Sequence, residues 1–354
     1  MPLNSLPKTY RAWRRTTGDL PRTIELTVEH LPQEISPSEI IVKIHAVSLN
    51  FRDHAMLSGR YPLSSTNGAI TASDCAAEVV AIGSNVKEFK IGDRVAPTLN
   101  VADPAGKSRN GDYSKILGTE VGVLAEYAVF EEEVLVHLPK HLSWEEASTI
   151  TCAGVTAWNA LNKLSNVTED TSVLLQGTGG VSMFALLLCI AAGVTPIITS
   201  SSDTKLEAIK KLSPLVKGFN YRTHPNQAET VNRLTVGKGV DIVFNNTGVA
   251  SIPADLESLK GANGTVSFVG FLDQQKANWD PNILRGMIYK SQRIQGIMAG
   301  TKFDFQDVNK FLEEKNVRLD PILDRTFNFD DSKAAYKYLE AGKHVGKVVI
   351  KVTS

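Results

Sequence analysis

From Glu39 onward, EIIVKIHAVSLN alternates apolar with polar residues, which is the period of a half-buried strand. EVVAIGSNVKEFKIGDRVAP (78–97) repeats that character around Gly83 and Gly92, with apolar runs that predict strands and polar turns between them. The chain up to Trp144 therefore predicts a mainly antiparallel β region. A polar, glycine-bearing stretch from Asn100 to Gly122 predicts a long loop or lid on it.

Beyond Trp144 the rhythm changes. SVLLQ (172–176) predicts an apolar strand, and TPIITS (195–200) predicts another. Between them, GVSMFALLLCIAAG (180–193) is apolar on every face, as a helix enclosed between layers is. Gly193 is placed to stop that helix, and Ser202 or Asp203 to cap the next one, DTKLEAIKKL. VDIVFNNTG (240–248), GTVSFVGF (264–271) and RIQGIMAG (293–300) continue the alternation. Strand, helix and strand in succession predict a parallel, doubly wound sheet with right-handed crossovers. The tail, YLEAGKHVGKVVIKV, predicts a helix and a strand that return to the first region.

Composition narrows the class without changing this outline. A chain of 354 residues fits about two domains, and 42% hydrophobic with 21% charged residues is the balance of a globular protein. Lys plus Arg and Asp plus Glu each total 38, so no net field draws the chain to nucleic acid or to an anionic membrane. Cys75, Cys152 and Cys189 lie far apart with no paired spacing, which points to a reducing compartment and a cytoplasmic location. No stretch has the length of a signal peptide core or a membrane span.

Candidate chemistry starts at LLQGTGGVS (174–182), where Gly177 and Gly179 fit a dinucleotide fingerprint and Ser182 stands at its third glycine position. Gly177 permits the tight turn, Gly179 lets backbone approach a pyrophosphate, and the third position needs only a small side chain. The run Gly177, Thr178, Gly179, Gly180 and Val181 would cradle the phosphates at the positive end of the helix. The alternative is an ordinary strand-to-helix turn. An NAD site would carry an acidic residue near the end of the second strand. The position 24 residues beyond Gly177 is Ser201, inside TSSSDTK. Ser200, Ser201 and Ser202 can donate to a 2′-phosphate and Lys205 supplies charge, so NADPH is the expected cofactor. Asp203 is the counter-indication, since it could take a ribose hydroxyl instead.

With those residues in view, the chain resembles the medium-chain dehydrogenase/reductase superfamily, in particular a zinc-free branch similar to quinone oxidoreductases. The resemblance rests on AVSLNFRDHAMLSGRYP (46–62), AAEVVAIGSNVKEFKIGDRV (76–95), VLAEYAVF (123–130), AGVTAWNAL (153–161), QGTGGVS, VDIVFNNTG and HVGKVVI (344–350), and spans nearly the whole chain. It implies an α/β fold: a GroES-like β-rich catalytic domain at 1–148 and 302–354, interrupted by a doubly wound Rossmann cofactor-binding domain at 149–301. It further implies that Thr156 lies beside the nicotinamide, that backbone from Val269 to Phe271 binds the carboxamide, and that Tyr221 approaches the 2′-phosphate. Asn246 and Lys347 are carried over as further cofactor residues.

Zinc-dependent relatives hold a catalytic ion with two cysteines, or a cysteine and an acidic residue, together with a histidine. The matching positions resemble Asn50, Ser73 and Cys152, which leaves too few ligands for such an ion, and the 100–122 segment has none of the cysteines of a structural zinc lobe. Cys152 and His45 are then expected as packing and face residues, and His54 lacks an evident metal partner. Asn50 and Tyr61 are the expected catalytic donors, with Arg52 and Asp53 as a supporting ion pair.

The function expected is NADPH-dependent hydride transfer, without zinc, to an activated double bond (enone or enoyl) or a quinone. A conjugated acceptor needs less charge stabilisation than an isolated carbonyl. Alternatives on the same scaffold are a zinc-free alcohol dehydrogenase or carbonyl reductase, and a cofactor-binding structural or regulatory protein without turnover. A small-molecule substrate is expected as partner, with no nucleic acid or membrane, and a homodimer paired through the RIQGIMAG strand.

Overall fold

The computed structural model describes residues 6–270, 272 and 276–353. The chain separates into two compact units, one running to Val155 and resuming at Gly300, the other running from Thr156 to Ala299.

The first unit opens with an antiparallel hairpin, β1 (Thr9–Arg15) and β2 (Ile24–His30), then β3 (Glu39–Leu49), α1 (Phe51–Leu57), β4 (Asp74–Ile82), β5 (Arg94–Pro97), β6 (Tyr127–Glu131), β7 (Leu135–His137) and α2 (Trp144–Ala147). β3 is more buried than its alternating pattern predicts, with Ile40, Ile41 and Val42 all at 0% exposure. The reason is pairing: β4, β6 and a C-terminal strand all bond to β3. Two register shifts along the β3–β4 ladder bend the strand, as bulges do, and let it serve several neighbours. A single π-helical turn, Ile150–Gly154, follows α2.

The second unit comprises α3 (Val155–Ala160), which starts at the unit boundary, then β8 (Ser172–Leu175), α4 (Gly180–Ala192), β9 (Thr195–Ser200), α5 (Asp203–Lys210), β10 (Lys217–Asn220), α6 (Gln227–Leu234), β11 (Ile242–Asn245), α7 (Ile252–Ser258), β12 (Thr265–Phe268), α8 (Gly286–Lys290) and β13 (Arg293–Gly296). Its six strands are all parallel in the order β10-β9-β8-β11-β12-β13. The chain winds outward from β8 to one edge and restarts at β11 toward the other, so the order reverses between β8 and β11. Ligands of such sheets bind at the carboxyl ends of the strands at this reversal. α4 buries Ser182 through Cys189 without interruption, in keeping with its all-round apolar sequence, and Gly193 ends it in the left-handed conformation at φ 75°. Leu174, Ile197, Phe219, Val231, Val243 and Val266 form a core on one sheet face.

The chain then returns to the first unit with α9 (Lys302–Glu314), β14 (Leu323–Asn328), α10 (Ser332–Glu340) and β15 (Lys347–Lys351). β15 pairs antiparallel with β3 and parallel with β14, completing a sheet in the order β14-β15-β3-β4-β5-β7 with β6 also on β3. Among the described residues, no helix is long and apolar enough to cross a membrane.

Candidate functional site

In the second unit, the turn after β8 has the conformation its glycines predict. Gly177 sits at φ +77°, which disfavours any other residue, and a Cβ built on Gly177 or Gly179 meets nothing within 4 Å. Gly179 is the N-cap of α4 and offers no side chain to the first-turn amides. That helix end is therefore a cradle of backbone donors with a positive dipole, suited to a pyrophosphate.

Ser182 is more than a small residue at the third glycine position. Its hydroxyl donates to Gln176 O at 2.8 Å and accepts from Asn246 Nδ2 at 2.8 Å, while Asn246 Nδ2 also donates to Gln176 O at 3.2 Å. Asn246, expected as a cofactor contact, thus has both amide hydrogens committed to bracing the turn. The Gly177 N–H is likewise taken, donating to Thr199 Oγ1 at 3.0 Å.

The bracing continues into a buried network with no counterpart in the sequence-based expectations. Gln176 Nε2 donates to Asp255 Oδ1 at 2.7 Å, and Gln176 Oε1 accepts from Asn246 N and Thr247 Oγ1. Asp255 also accepts from Gln227 Nε2 at 2.9 Å, Asn245 Nδ2 at 2.6 Å and Ser251 Oγ at 3.0 Å. Burial pushes its carboxyl up to about 6 against the lowering effect of these donors. Gln176 and Asn245 close β8 and β11, so the network lies at the reversal of strand order. Beside it is a recess of about 250 Å³ lined by Thr247, Gly248, Ala250 and Ser251.

At the end of β9 the serines divide their roles. Ser202 caps α5 by accepting from Lys205 N at 3.4 Å, and Ser200 Oγ accepts from Ser202 N at 3.1 Å. The half-exposed Tyr221 lies alongside, its N–H donating to Ser200 O at 3.0 Å. Asp203 is held by Asn220, whose Nδ2 donates to Asp203 Oδ1 at 3.1 Å. Thr156 is buried in the first turn of α3. The Val269 N–H extends the β11–β12 ladder by donating to Asn245 O at 2.8 Å, which leaves its carbonyl as the group that the expected backbone contact with the carboxamide would use. Phe271 lies outside the described residues.

In the first unit, three strand ends converge. Leu49 of β3 pairs with Val348 of β15, and Ser48 pairs with Asp74 of β4, so Asn50, Asp74 and Lys347 are brought together by register alone. Lys347 Nζ donates to Asn50 Oδ1 at 2.6 Å and lies 3.7 Å from Asp74 Oδ2. Asn50 Nδ2 donates to Ser73 Oγ at 3.4 Å, Ser73 Oγ donates to Asp74 Oδ1 at 2.8 Å, and the Cys152 N–H donates to Asp74 Oδ2 at 3.2 Å. Lys347, expected among the cofactor residues, is buried beside Asn50. Burial, with Asp74 second, raises the Cys152 thiol to about 12, so the sulfur stays protonated at neutral pH.

Tyr61 folds back over α1. Arg52 Nε donates to its hydroxyl at 3.2 Å, with the guanidinium 5.0 Å from the ring centroid. Arg52 also donates to Leu117 O at 2.6 Å, inside the 100–122 segment. The expected Arg52–Asp53 ion pair does not form. Asp53 turns back to accept from Asn50 N at 2.7 Å, its other oxygen and Arg52 Nη2 are buried without hydrogen-bond partners, and burial brings its carboxyl up to about 6. Adjacent residues on a helix diverge by roughly 100°, so sequence neighbours there rarely meet. His45 is a face residue as expected, stacked 4.1 Å from Trp144 and bonded to Glu78 and Thr353.

Comparison with known proteins agrees with both units. The alcohol dehydrogenase GroES-like domain matches residues 36–140, and the zinc-binding dehydrogenase family matches residues 180–314. A zinc-type alcohol dehydrogenase-like protein of Schizosaccharomyces pombe is 36% identical over 91% of this chain and 93% of its own length. A quinone oxidoreductase of Pseudomonas aeruginosa is 27% identical over 91% of this chain and 94% of its own. The crystal structure of a putative alcohol dehydrogenase from Sinorhizobium meliloti superposes with a TM-score of 0.87 at 32% identity, covering 98% of this chain and 100% of that one.

Proposed function

The chain belongs to the medium-chain dehydrogenase/reductase superfamily, and we propose that within it the chain is a zinc-independent, NADPH-dependent reductase of conjugated carbonyl compounds or quinones. Its two-domain fold, a GroES-like β domain and a six-stranded parallel Rossmann sheet, is that of NAD(P)-dependent oxidoreductases.

The observation that carries this reading is the donor set around Asn50. A catalytic zinc takes about three protein ligands, chiefly thiolate, imidazole or carboxylate. Here the corresponding positions offer an amide, a hydroxyl and a single thiol, and a buried ammonium already lies 2.6 Å from the amide oxygen. Among the described residues no group of three His, Cys, Asp or Glu is disposed to hold a metal. These residues do not fit zinc, and no step is assigned to it.

We assign the cofactor to the Gly177–Val181 turn, where Gly177 and Gly179 leave open space beside the N-terminal end of α4. Bound NADPH supplies a hydride equivalent. Ser201 stands where an NAD site would carry an acid, and Asp203 is occupied by Asn220, which together favour the 2′-phosphate form. In the first unit, Asn50 Nδ2 and the Tyr61 hydroxyl are donors for the substrate oxygen as it gains charge. Stabilisation by neutral donors suits an acceptor whose charge is delocalised as an enolate or a hydroquinone anion.

The alcohol dehydrogenase names of two relatives favour a second reading, direct reduction of a carbonyl. Deuterium-labelled NADPH separates the two with an enone. Label on the β-carbon supports the proposed reaction, and label on the carbonyl carbon, giving an allylic alcohol with its double bond intact, rejects it. For assembly we propose a homodimer through β13, the sheet edge, beside which Ile288 and Tyr289 of α8 are exposed. A monomeric mass in sedimentation at micromolar concentration would contradict it.

A further inference from the structure

Lys347 is 2% exposed, and its charge faces a carboxylate that is itself fully buried, Asp74. Burying an ammonium is costly unless it is paired and hydrogen-bonded. The pairing with Asp74 at 3.7 Å is loose, and the shortest contact of the ammonium is instead a neutral group, Asn50 Oδ1 at 2.6 Å. An ammonium carries donors and no acceptor, so the amide edge turned toward it must be the oxygen. The NH2 edge of Asn50 is thereby directed away from Lys347.

The rest of the cluster reinforces that orientation. Ser73 spends its hydroxyl hydrogen on Asp74 Oδ1, so toward Asn50 it presents only lone pairs, and the amide NH2 donates to them at 3.4 Å. Turning the amide over would set NH2 against the ammonium and the amide oxygen against the Ser73 oxygen, losing both contacts at once. Hydrogen bonds in such a chain also polarise one another: a cation on the amide oxygen strengthens its N–H groups as donors.

We propose that Lys347 is the positioning residue of this site: its fixed cation sets which edge of Asn50 is presented and strengthens that edge as a donor, at the cluster that matches the ligand positions of zinc-dependent relatives. The proposal rests on the reading of Asn50 as the donor to substrate oxygen. Lys347 then works through Asn50.

The test is a cycle of Lys347→Met, Lys347→Arg, Asn50→Ala and the Lys347→Met/Asn50→Ala double variant, with turnover of an enone and NADPH affinity measured on each. Lys347→Met should lower kcat about tenfold or more while the NADPH dissociation constant stays within about twofold, and Lys347→Arg should restore most of the loss. In the Asn50→Ala background, Lys347→Met should cost nothing further. Equal losses in both backgrounds, or weakened NADPH binding with kcat intact, would overturn the proposal. An independent readout is the side-chain amide resonance of Asn50 in ¹⁵N-labelled protein, identified by its loss in Asn50→Ala. It should move in Lys347→Met and return toward its original position in Lys347→Arg; an unmoved resonance also overturns the proposal. If Lys347→Met does not fold, the resonance and turnover of Lys347→Arg decide, since loss of both the amide position and kcat in a folded variant that keeps the cation is inconsistent with it. Should the unaltered protein reduce no acceptor, the proposed function fails, while the amide resonance still judges Lys347.

Discussion

The two units solve opposite electrostatic problems with opposite materials. In the second unit, one carboxylate, Asp255, is surrounded by neutral amides and hydroxyls from Gln176, Gln227, Asn245 and Ser251. In the first unit a neutral amide, Asn50, is surrounded by charges: Lys347 and Asp74 on one side, and Asp53, which accepts from its backbone N–H, on the other. A cradle for a permanently charged pyrophosphate draws on backbone amides and a helix dipole, so its supporting network only has to hold shape. A site for charge that appears during reaction gains from preorganised polarity, and buried charges can supply it.

If that contrast is right, the largest effect should follow loss of the amide. Asn50→Ala is expected to lower turnover by about 2.7–4 kcal/mol of barrier, with NADPH affinity little changed. Tyr61→Phe should move in the same direction, lowering turnover more than NADPH binding, because the role proposed for its hydroxyl is toward the substrate oxygen. Asp255→Asn should do the reverse. It sets an NH2 group against donors from Gln176, Gln227 or Asn245, loosening the glycine turn, and should weaken NADPH binding by about 1–3 kcal/mol, read by nucleotide fluorescence. A drop in kcat without a change in affinity would erase the distinction between the units.

Acid sharpens the same comparison. Burial raises Asp255 to about 6, above the unfolded carboxylate range near 3.9, so the folded chain holds this proton more tightly than the unfolded chain. Its contribution therefore lowers stability as pH rises from about 4 to about 6 and is level above that. Denaturant titrations across this window should show a shallower decline for Asp255→Asn than for the unaltered protein. A change of similar size is expected in cofactor choice. Ser201→Asp should weaken NADPH relative to NADH by about 1.5–3 kcal/mol, and tighter NADH than NADPH binding by the unaltered protein in calorimetry would reject the assignment.

How far sequence reaches differs between the two regions. The glycine turn is readable because φ +77° at Gly177 and a side-chain-free Gly179 are backbone demands that only certain residues meet at a set spacing. Alternation in β3, the all-apolar α4 and the capping Ser202 are local in the same sense. The Gln176–Asp255 bond joins residues 79 apart, and neither lies in a periodic pattern that would mark it. Asn50 and Lys347 are 297 residues apart, and only the β3–β15 register makes them neighbours. Resemblance directed Lys347 toward the cofactor, and adjacency suggested an Arg52–Asp53 pair. Strand register sets Lys347 beside Asn50, and the divergence of successive helix positions keeps Arg52 and Asp53 from pairing.

Zinc independence is the claim on which the account of the first unit turns, and metal content measured together with activity tests it most directly. Protein purified without added metal should carry well under one zinc per chain by elemental analysis, and turnover of an enone with NADPH should survive prolonged chelation. Stoichiometric zinc that leaves with the activity and restores it on return would contradict the account.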